Sequence, residues 1–341
     1  MGHRAGVDPD DRHPEARWPD TVHAARRFIA DGIVGSSAVE EPPARGDAFS
    51  QAEEPPVLLS PQPIESGPFR AITVSRGEAL TSTGFGGFLD GIQEVRVVNQ
   101  WEGIPIIWAT IAAAVRTRIN RRLGTWQRMG PLVERRYYLP FRYLPGMRAE
   151  LANHPRVVDT AREDAAGNVP SRHPAALLER AILSVQRDRE LIERDLIERW
   201  CETEETGLYV DGSITASAVA SRCSLAVGVI KSHRTLYADG DAFRVVTGLK
   251  PGQRTSVFAV SPRSRERVAS WYVKTRNSSG HGALFGLVRV EAADGDDIVS
   301  RADQITRWIL AEGAPVALPD ARWDRMTYGI RDTEEFLRAI C

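Results

Sequence analysis

Two apolar runs in this chain each deliver an aspartate onto a glycine, and a third run, after the second aspartate, ends on a lysine. Residues 207–232 read GLYVDGSITASAVASRCSLAVGVIKS. Leu208, Tyr209 and Val210 carry the chain to Asp211 on a Gly-Ser turn, and Leu225 to Ile230 carry it to Lys231. The pattern reads as strand, sharp turn, strand, with a carboxylate closing the first strand and a cation closing the second. About 120 residues earlier, GFGGFLDGIQEVRVV sets Asp90 after Phe88-Leu89 and before Gly91. Asp-Gly is a favoured turn pair in its own right. Two carboxylates at matching places in two strands also fit a metal site built on a sheet. Both readings stand on these residues alone.

Composition narrows the class without choosing between them. At 341 residues, with 42% hydrophobic and 26% charged, the chain reads as an ordinary soluble protein of one large or two modest domains. A formal net charge of −1 supplies no global field toward nucleic acid or membrane, so any such affinity must come from local patches. The lysines are Lys231, Lys250 and Lys274, against a large excess of arginine, which puts a compact point charge beside Asp211. Cys201, Cys223 and Cys341 have no CxxC spacing, and the histidines show no ligand spacing. No apolar stretch approaches a membrane span and no secretory h-region opens the chain, so a cytoplasmic protein with no membrane association is expected. GxxxxGK[ST], HExxH, GxSxG and a strand-linked GxGxxG are absent.

Taken in order, residues 1–68 are rich in Pro, Ala, Asp and Glu and read as a disordered arm carrying one short helix, Thr21–Ile33. Ordered structure is expected from Phe69, as one domain over 69–341. FRAITVS reads as a strand. The stretch from Gly84 to Arg118 reads as two or three strands with a hairpin turn at Trp101-Glu102-Gly103. Ile104–Val115 fits a buried strand or a strand passing into a helix, since an unbroken apolar run has no period. A long helix is expected from Pro174 to Cys201, its apolar stripe formed by Leu178, Ile182, Val185, Ile192, Leu196 and Trp200. Arg189 and Glu193 fall inside that stripe, Glu190 on its flank and Glu198 on the opposite face. A carboxylate facing a core needs a partner. Either Glu193 pairs with Arg189 one turn away, or it reaches across to Asp90 and Asp211 as a metal ligand. Further strands are expected in ASWYVKTR and ALFGLVRVE, the latter with Arg289 and Glu291 on one face. Helices follow in IVSRADQITRWILAEG and from Asp332 or Thr333 to the end.

Residues 116–148 are the most lopsided stretch. Arg116, Arg118, Arg121, Arg122, Arg128, Arg135, Arg136, Arg142 and Arg148 stand against one acid, Glu134, with Trp126, Tyr137, Tyr138, Phe141 and Tyr143 between them. Guanidinium groups for phosphates and rings for unstacked bases are what a single-strand nucleic-acid groove needs. A solvated basic loop with aromatics tucked beneath it has the same composition.

What chemistry remains is that of carboxylates. Acids on neighbouring strands with one more from a helix suit Mg²⁺ or Mn²⁺, which prefer oxygen ligands. The order Phe88-Leu89-Asp90-Gly91, a long Glu-bearing helix, VDGS and then VGVIKS resembles the NurA nucleases, and SWYVKTR and GLVRVE are similar to that family's later strands. The resemblance spans roughly residues 70–335. It implies an α/β, ribonuclease-H-like mixed sheet flanked by helices, and a Mn²⁺-dependent deoxyribonuclease for DNA end processing or phage defence. It also implies a homodimer that works with a HerA-type hexameric ATPase. Carried over by position, Asp90, Glu193 and Asp211 are the metal ligands; Lys231, read from the residues, is a cation beside Asp211 suited to hold a phosphate. Where the family tends to carry Tyr-Pro and then a histidine, this chain has Tyr328-Gly329 and no histidine. The departure leaves Asp320, Asp324, Glu334 or Glu335 as possible substitutes for the fourth ligand. It also leaves open a NurA-like scaffold that binds DNA or an ATPase without cutting.

Overall fold

The apolar run from Ile104 settles as strand, because a neighbour on each side and cover on each face let every residue from 104 to 115 be buried without a period. The computed structural model describes residues 18–39, 44–45, 55–74, 83–120, 122–147, 149–163, 167–262, 265–278, 281–313 and 328–341. In chain order the principal elements are α1 (Val22–Gly32), β1 (Phe85–Trp101), β2 (Ile104–Ile119), β3 (Leu132–Leu139), α2 (Pro174–Thr203), β4 (Gly207–Asp211), α3 (Ala218–Arg222), β5 (Ala226–Ile230), β6 (Val268–Lys274), β7 (Leu287–Ala292), α4 (Ile298–Glu312) and α5 (Tyr328–Ile340). The fold is α/β, with a large mixed sheet flanked by helices. By internal contact the chain gathers into two units, one of residues 1–44, 95–109 and 135–182, the other of 45–94, 110–134 and 183–341.

In the first unit, β1 and β2 meet at the expected turn. Glu102 (φ 45°) and Gly103 (φ 77°) both take the left-handed region that a two-residue primed hairpin requires. The core is Val98, Ile104, Ile106, Trp108, Tyr137 and Leu139 with Ala25 and Ile29 of α1. Helix α1 forms within a residue of the expected bounds because Thr21 caps it, its Oγ1 accepting from Ala24 N at 3.2 Å. It is docked by polar contacts as well. Trp18 Nε1 donates to Arg135 O at 3.0 Å and the Tyr137 hydroxyl to Ala25 O at 2.7 Å.

The second unit is built on parallel neighbours. β4 lies parallel to β1, with Leu208 opposite Gly87 and Val210 opposite Leu89, and β5 lies parallel to β4. β7 then runs antiparallel to β5, and β6 antiparallel to β7. Alternation puts Phe88, Tyr209, Val227, Val229, Val290 and Trp271 in one core, closed by Ile298, Ile305 and Ile309 of α4 and Ile330 of α5. Against the other face of β1 lies α2: a Cβ on Gly87 would stand 2.5 Å from the Trp200 ring.

Several expectations change here. The link from Asp211 to Lys231 is not a sharp turn, because parallel neighbours need a crossover; it holds α3, capped by Ser217, whose Oγ accepts from Ala220 N at 3.1 Å. The stripe of α2 begins at buried Leu177, with Leu178 only half-buried. Helix α5 starts at Tyr328, so Thr333 is an interior residue, its hydroxyl within reach of Gly329 O (2.9 Å) and Phe88 O (3.3 Å). Residues 55–68, read as part of a disordered arm, include the strand Gln62–Pro63 against Phe258 and Ala259. They also include Glu65, which accepts from Arg254 at 2.8 Å and Val257 N at 3.0 Å. A proline-rich segment can serve as an edge strand, where the missing N–H faces outward.

Candidate carboxylate site

Asp90 and Asp211 sit side by side. The register pairs Leu89 with Val210 on parallel strands, each just before its aspartate, and the Asp211 charge bears on Asp90. Asp90 lies within β1 and is buried; its Oδ1 accepts from Gly91 N at 2.8 Å. Asp211 is the last residue of β4, and beyond it Gly212 (φ 144°) turns the chain away in a conformation side chains rarely adopt. Gly228 makes room for that turn, since a Cβ there would lie 2.7 Å from Gly212 O. Glu291 of β7 then fixes it, Oε2 accepting from Ser213 Oγ at 2.7 Å and Ile214 N at 3.1 Å. Arg289 holds the other oxygen of Glu291 at 2.8 Å, on the shared face expected for the two.

Lys231 follows the last residue of β5. Its Nζ lies 2.5 Å from Asp211 Oδ2. The expected pairing of strand-end carboxylate and strand-end cation is therefore made directly.

Glu193 makes the first of its two expected contacts: its Oε1 pairs with Arg189 one turn earlier on α2. It also lies flat on β1, where a Cβ added to Gly91 would be 2.0 Å from that oxygen. Burial pushes the Glu193 carboxyl up to about 7; Arg189 opposes the shift, and Glu190 and Asp211 add to it. Asp90 is held well above the ordinary carboxylate range, first by burial and then by Asp211, with Lys231 opposing and Glu193 and Glu334 adding. Glu334 arrives on α5, which is seated by Gly329: a Cβ there would stand 2.3 Å from the Phe88 ring. It is buried and pairs with Arg338 at 2.6 Å.

Of the candidates for a fourth acid, Glu334 is thus the one whose charge reaches Asp90. Glu335 pairs with Arg331 at 2.8 Å and is exposed, and Asp320 and Asp324 lie outside the described residues. Tyr328 is 52% exposed at the first residue of α5. Among the described residues no three of His, Cys, Asp and Glu converge tightly enough to form a ready cage. The donors are nonetheless all hard oxygens, and the rise at Asp90 comes partly from three like charges, an excess that a divalent cation would relieve. Hard oxygens of this kind suit Mg²⁺ or Mn²⁺; here Asp211, Glu193 and Glu334 turn to Lys231, Arg189 and Arg338, and alternation puts Gly91, on which Glu193 lies, on the face of β1 opposite Asp90.

The arginine–aromatic stretch divides between residues held inside the fold and residues left at the surface. Arg116 is tied to Asp332 at 2.7 Å and lies over the Phe336 ring, and Arg118 makes two bonds of 2.7 Å to Glu312. Trp126 Nε1 and Arg128 share Glu204 at 3.0 and 2.8 Å. Tyr137 and Tyr138 are fully buried, so neither ring can stack on a base. Strand alternation sends neighbouring residues of β3 to opposite faces, and both faces are covered there. Arg122 is exposed, Arg135 and Arg136 are half-buried, and Arg121 lies outside the described residues.

Sequence reasoning missed Glu291 as the anchor of the turn after Asp211: alternation put it on the face opposite Val288 and Val290, which reads as polar, yet it is buried. The chain matches no protein-family model and no characterised protein in sequence.

Proposed function

We propose that this chain is a divalent-metal-dependent deoxyribonuclease of the NurA type on a ribonuclease-H-like core, cutting DNA in end processing or phage defence. One observation carries the reading. Two aspartates stand side by side on adjacent parallel strands, with a helix glutamate laid on the glycine after the first and a lysine against the second. That supports the ligand roles the NurA resemblance implies for Asp90, Glu193 and Asp211. Asp90, Asp211 and Glu193 would hold Mn²⁺ or Mg²⁺, with Glu334 in the place of the family histidine. Such an ion polarises a phosphoryl oxygen and lowers the pKa of bound water. Lys231, now against Asp211, would meet a phosphate oxygen and its developing charge. The homodimer and the HerA-type hexameric ATPase partner rest on the resemblance alone.

A second reading has its own support. Asp211, Glu193 and Glu334 each already hold an internal cation, which suits a NurA-like scaffold that binds DNA or an ATPase without cutting. Incubating purified protein with end-labelled single- and double-stranded DNA, with Mn²⁺ and with chelator, separates the two. Metal-dependent cleavage lost in both Asp90→Asn and Asp211→Asn supports the nuclease. DNA retention without cleavage at any Mn²⁺ concentration supports the scaffold.

A further inference from the structure

Away from the carboxylates, Cys201 and Cys223 line one open cleft of about 530 Å³, together with Arg222 and Ser224. Cys201 stands in the last turn of α2, and Cys223 is the residue that closes α3, its N–H bonded to Ala220 O. The Cys201 thiol donates to the Cys223 sulfur, which also faces the backbone N–H groups of Leu225 and Ala226. Arg301 comes to the same corner from α4, donating to Ser224 O at 2.5 Å, with Asp297 as its ion-pair partner at 3.8 Å. A thiol and two amides therefore face one sulfur with the positive charge of Arg301 nearby, and the cleft gives a small solute access to it. A pair of thiols buried only to fill space has no need of that convergence.

We infer that Cys201 and Cys223 form a peroxide-reactive dithiol, with Cys223 the attacking sulfur and Cys201 the resolving one. The Cys223 thiolate attacks a hydroperoxide: an S–O bond forms, the O–O bond breaks, and the leaving hydroxide takes a proton and departs as water. Sulfur is oxidised to the sulfenic acid as the peroxide is reduced. The Cys201 sulfur, giving up its proton, then attacks Cys223. The S–S bond forms, the S–O bond breaks, and the displaced hydroxide carries that proton away as a second water. The sum is two thiols and one hydrogen peroxide to one disulfide and two waters. Closing the contact to a bond of about 2 Å needs the two thiols to turn toward each other. The division of roles follows the local field. The donated Cys201 hydrogen and the backbone amides draw the Cys223 thiol down to about 6, while giving that hydrogen bond, together with burial, pushes Cys201 up. The bond would join the end of the helix that carries Glu193 to the segment leading into the strand that ends at Lys231.

The test uses the full chain, reduced and then treated with a few equivalents of hydrogen peroxide. A Cys201–Cys223 linked peptide in a non-reducing digest, reversed by dithiothreitol, is expected. Absence of that peptide, or oxidation of exposed Cys341 ahead of the pair, overturns the inference. In Cys201→Ser, oxidation should stop at a sulfenic acid on Cys223 that dimedone traps, and in Cys223→Ser the peroxide should leave Cys201 unlabelled; the reverse pattern overturns the assignment of roles. Independently of any variant, alkylation of Cys223 should follow a pH midpoint near 6, against about 8.5 for an ordinary thiol. A midpoint near the ordinary value removes the attacking role.

Discussion

Asp90, Glu193, Asp211 and Glu334 come from four elements scattered over the chain and share one field, whereas the arginines and tyrosines of 116–148 are close in sequence and end in separate environments. Both were concentrations of charge or of functional groups on paper. The difference lies in what holds each side chain. The carboxylates sit within or at the end of parallel strands and on helices seated against glycines, so backbone geometry brings them together. Much of the arginine run lies along β2 and β3, where successive residues face opposite ways, and Arg116 and Arg118 find acids of the C-terminal helices. Density in sequence is thus a poor guide to surface potential on a strand, and alternation is a better one.

The largest effect expected is at the aspartates. Asp90→Asn or Asp211→Asn should lower metal-dependent cleavage by more than the roughly 10–100-fold typical of losses around a metal's outer shell. Metal-free Asp90→Asn should melt no lower than wild type at neutral pH, because it removes a buried charge crowded by like charges. Calorimetry in chelator checks the second point, and a clearly lower melting temperature would show that Asp90 is a structural acid.

The converse holds for the tyrosines. Tyr137→Ala should destabilise the protein by about 3–5 kcal/mol, as for other buried aromatics. Tyr137→Phe, which loses the bond to Ala25 O, should cost about 1 kcal/mol. Denaturant titration measures both. Loss of DNA affinity with unchanged stability would return Tyr137 to a binding surface.

Between these lies a pH effect. A carboxyl raised on folding contributes stability fully below its unfolded value and loses it as pH rises through the folded one. For Glu193 that window runs from the ordinary 4.5 to about 7, with a size of up to about 3 kcal/mol. In chelator, wild type should therefore lose more stability than Glu193→Gln between the two ends of that window, and Mn²⁺ should shrink the difference. Parallel pH profiles for the two proteins would mean that Arg189 alone governs the group.

Arg122 gives the smallest effect and the sharpest contrast with its neighbours. It is exposed, so Arg122→Gln should leave stability unchanged and, if it meets a phosphate, reduce the salt slope of DNA binding by roughly 0.7–0.9. Arg118→Gln should instead destabilise through Glu312. Equal behaviour of the two would dissolve the distinction drawn between residues engaged inside the fold and residues open to a ligand.

Much of the site was legible because strand-Asp-Gly is a local pattern and α2 opens on a proline and carries its own stripe. The bounds of that helix fell within two residues of expectation, and the Glu193 ambiguity was visible as a carboxylate in an apolar stripe. The crossover after Asp211 was not, because Gly-Ser reads as a turn whether or not a short helix follows. Nor was the state of Ile104–Val115, which is buried on both faces and so has lost the two-residue period. Tyr137 was misjudged because its partners, Ala25 and Ile29, lie more than 100 residues away in sequence.

Gly91 has a consequence for how the site keeps its dimensions. With no side chain between Glu193 and the strand, the stand-off of that carboxylate is set by the peptide ladder itself and not by the rotamer of an intervening residue. The gap behaves like a machined shoulder: neighbouring side chains can change and the glutamate still bottoms out on the same backbone. A single methyl group at position 91 would act as a shim, lifting the acid away from Asp90 while leaving every charge in the cluster in place.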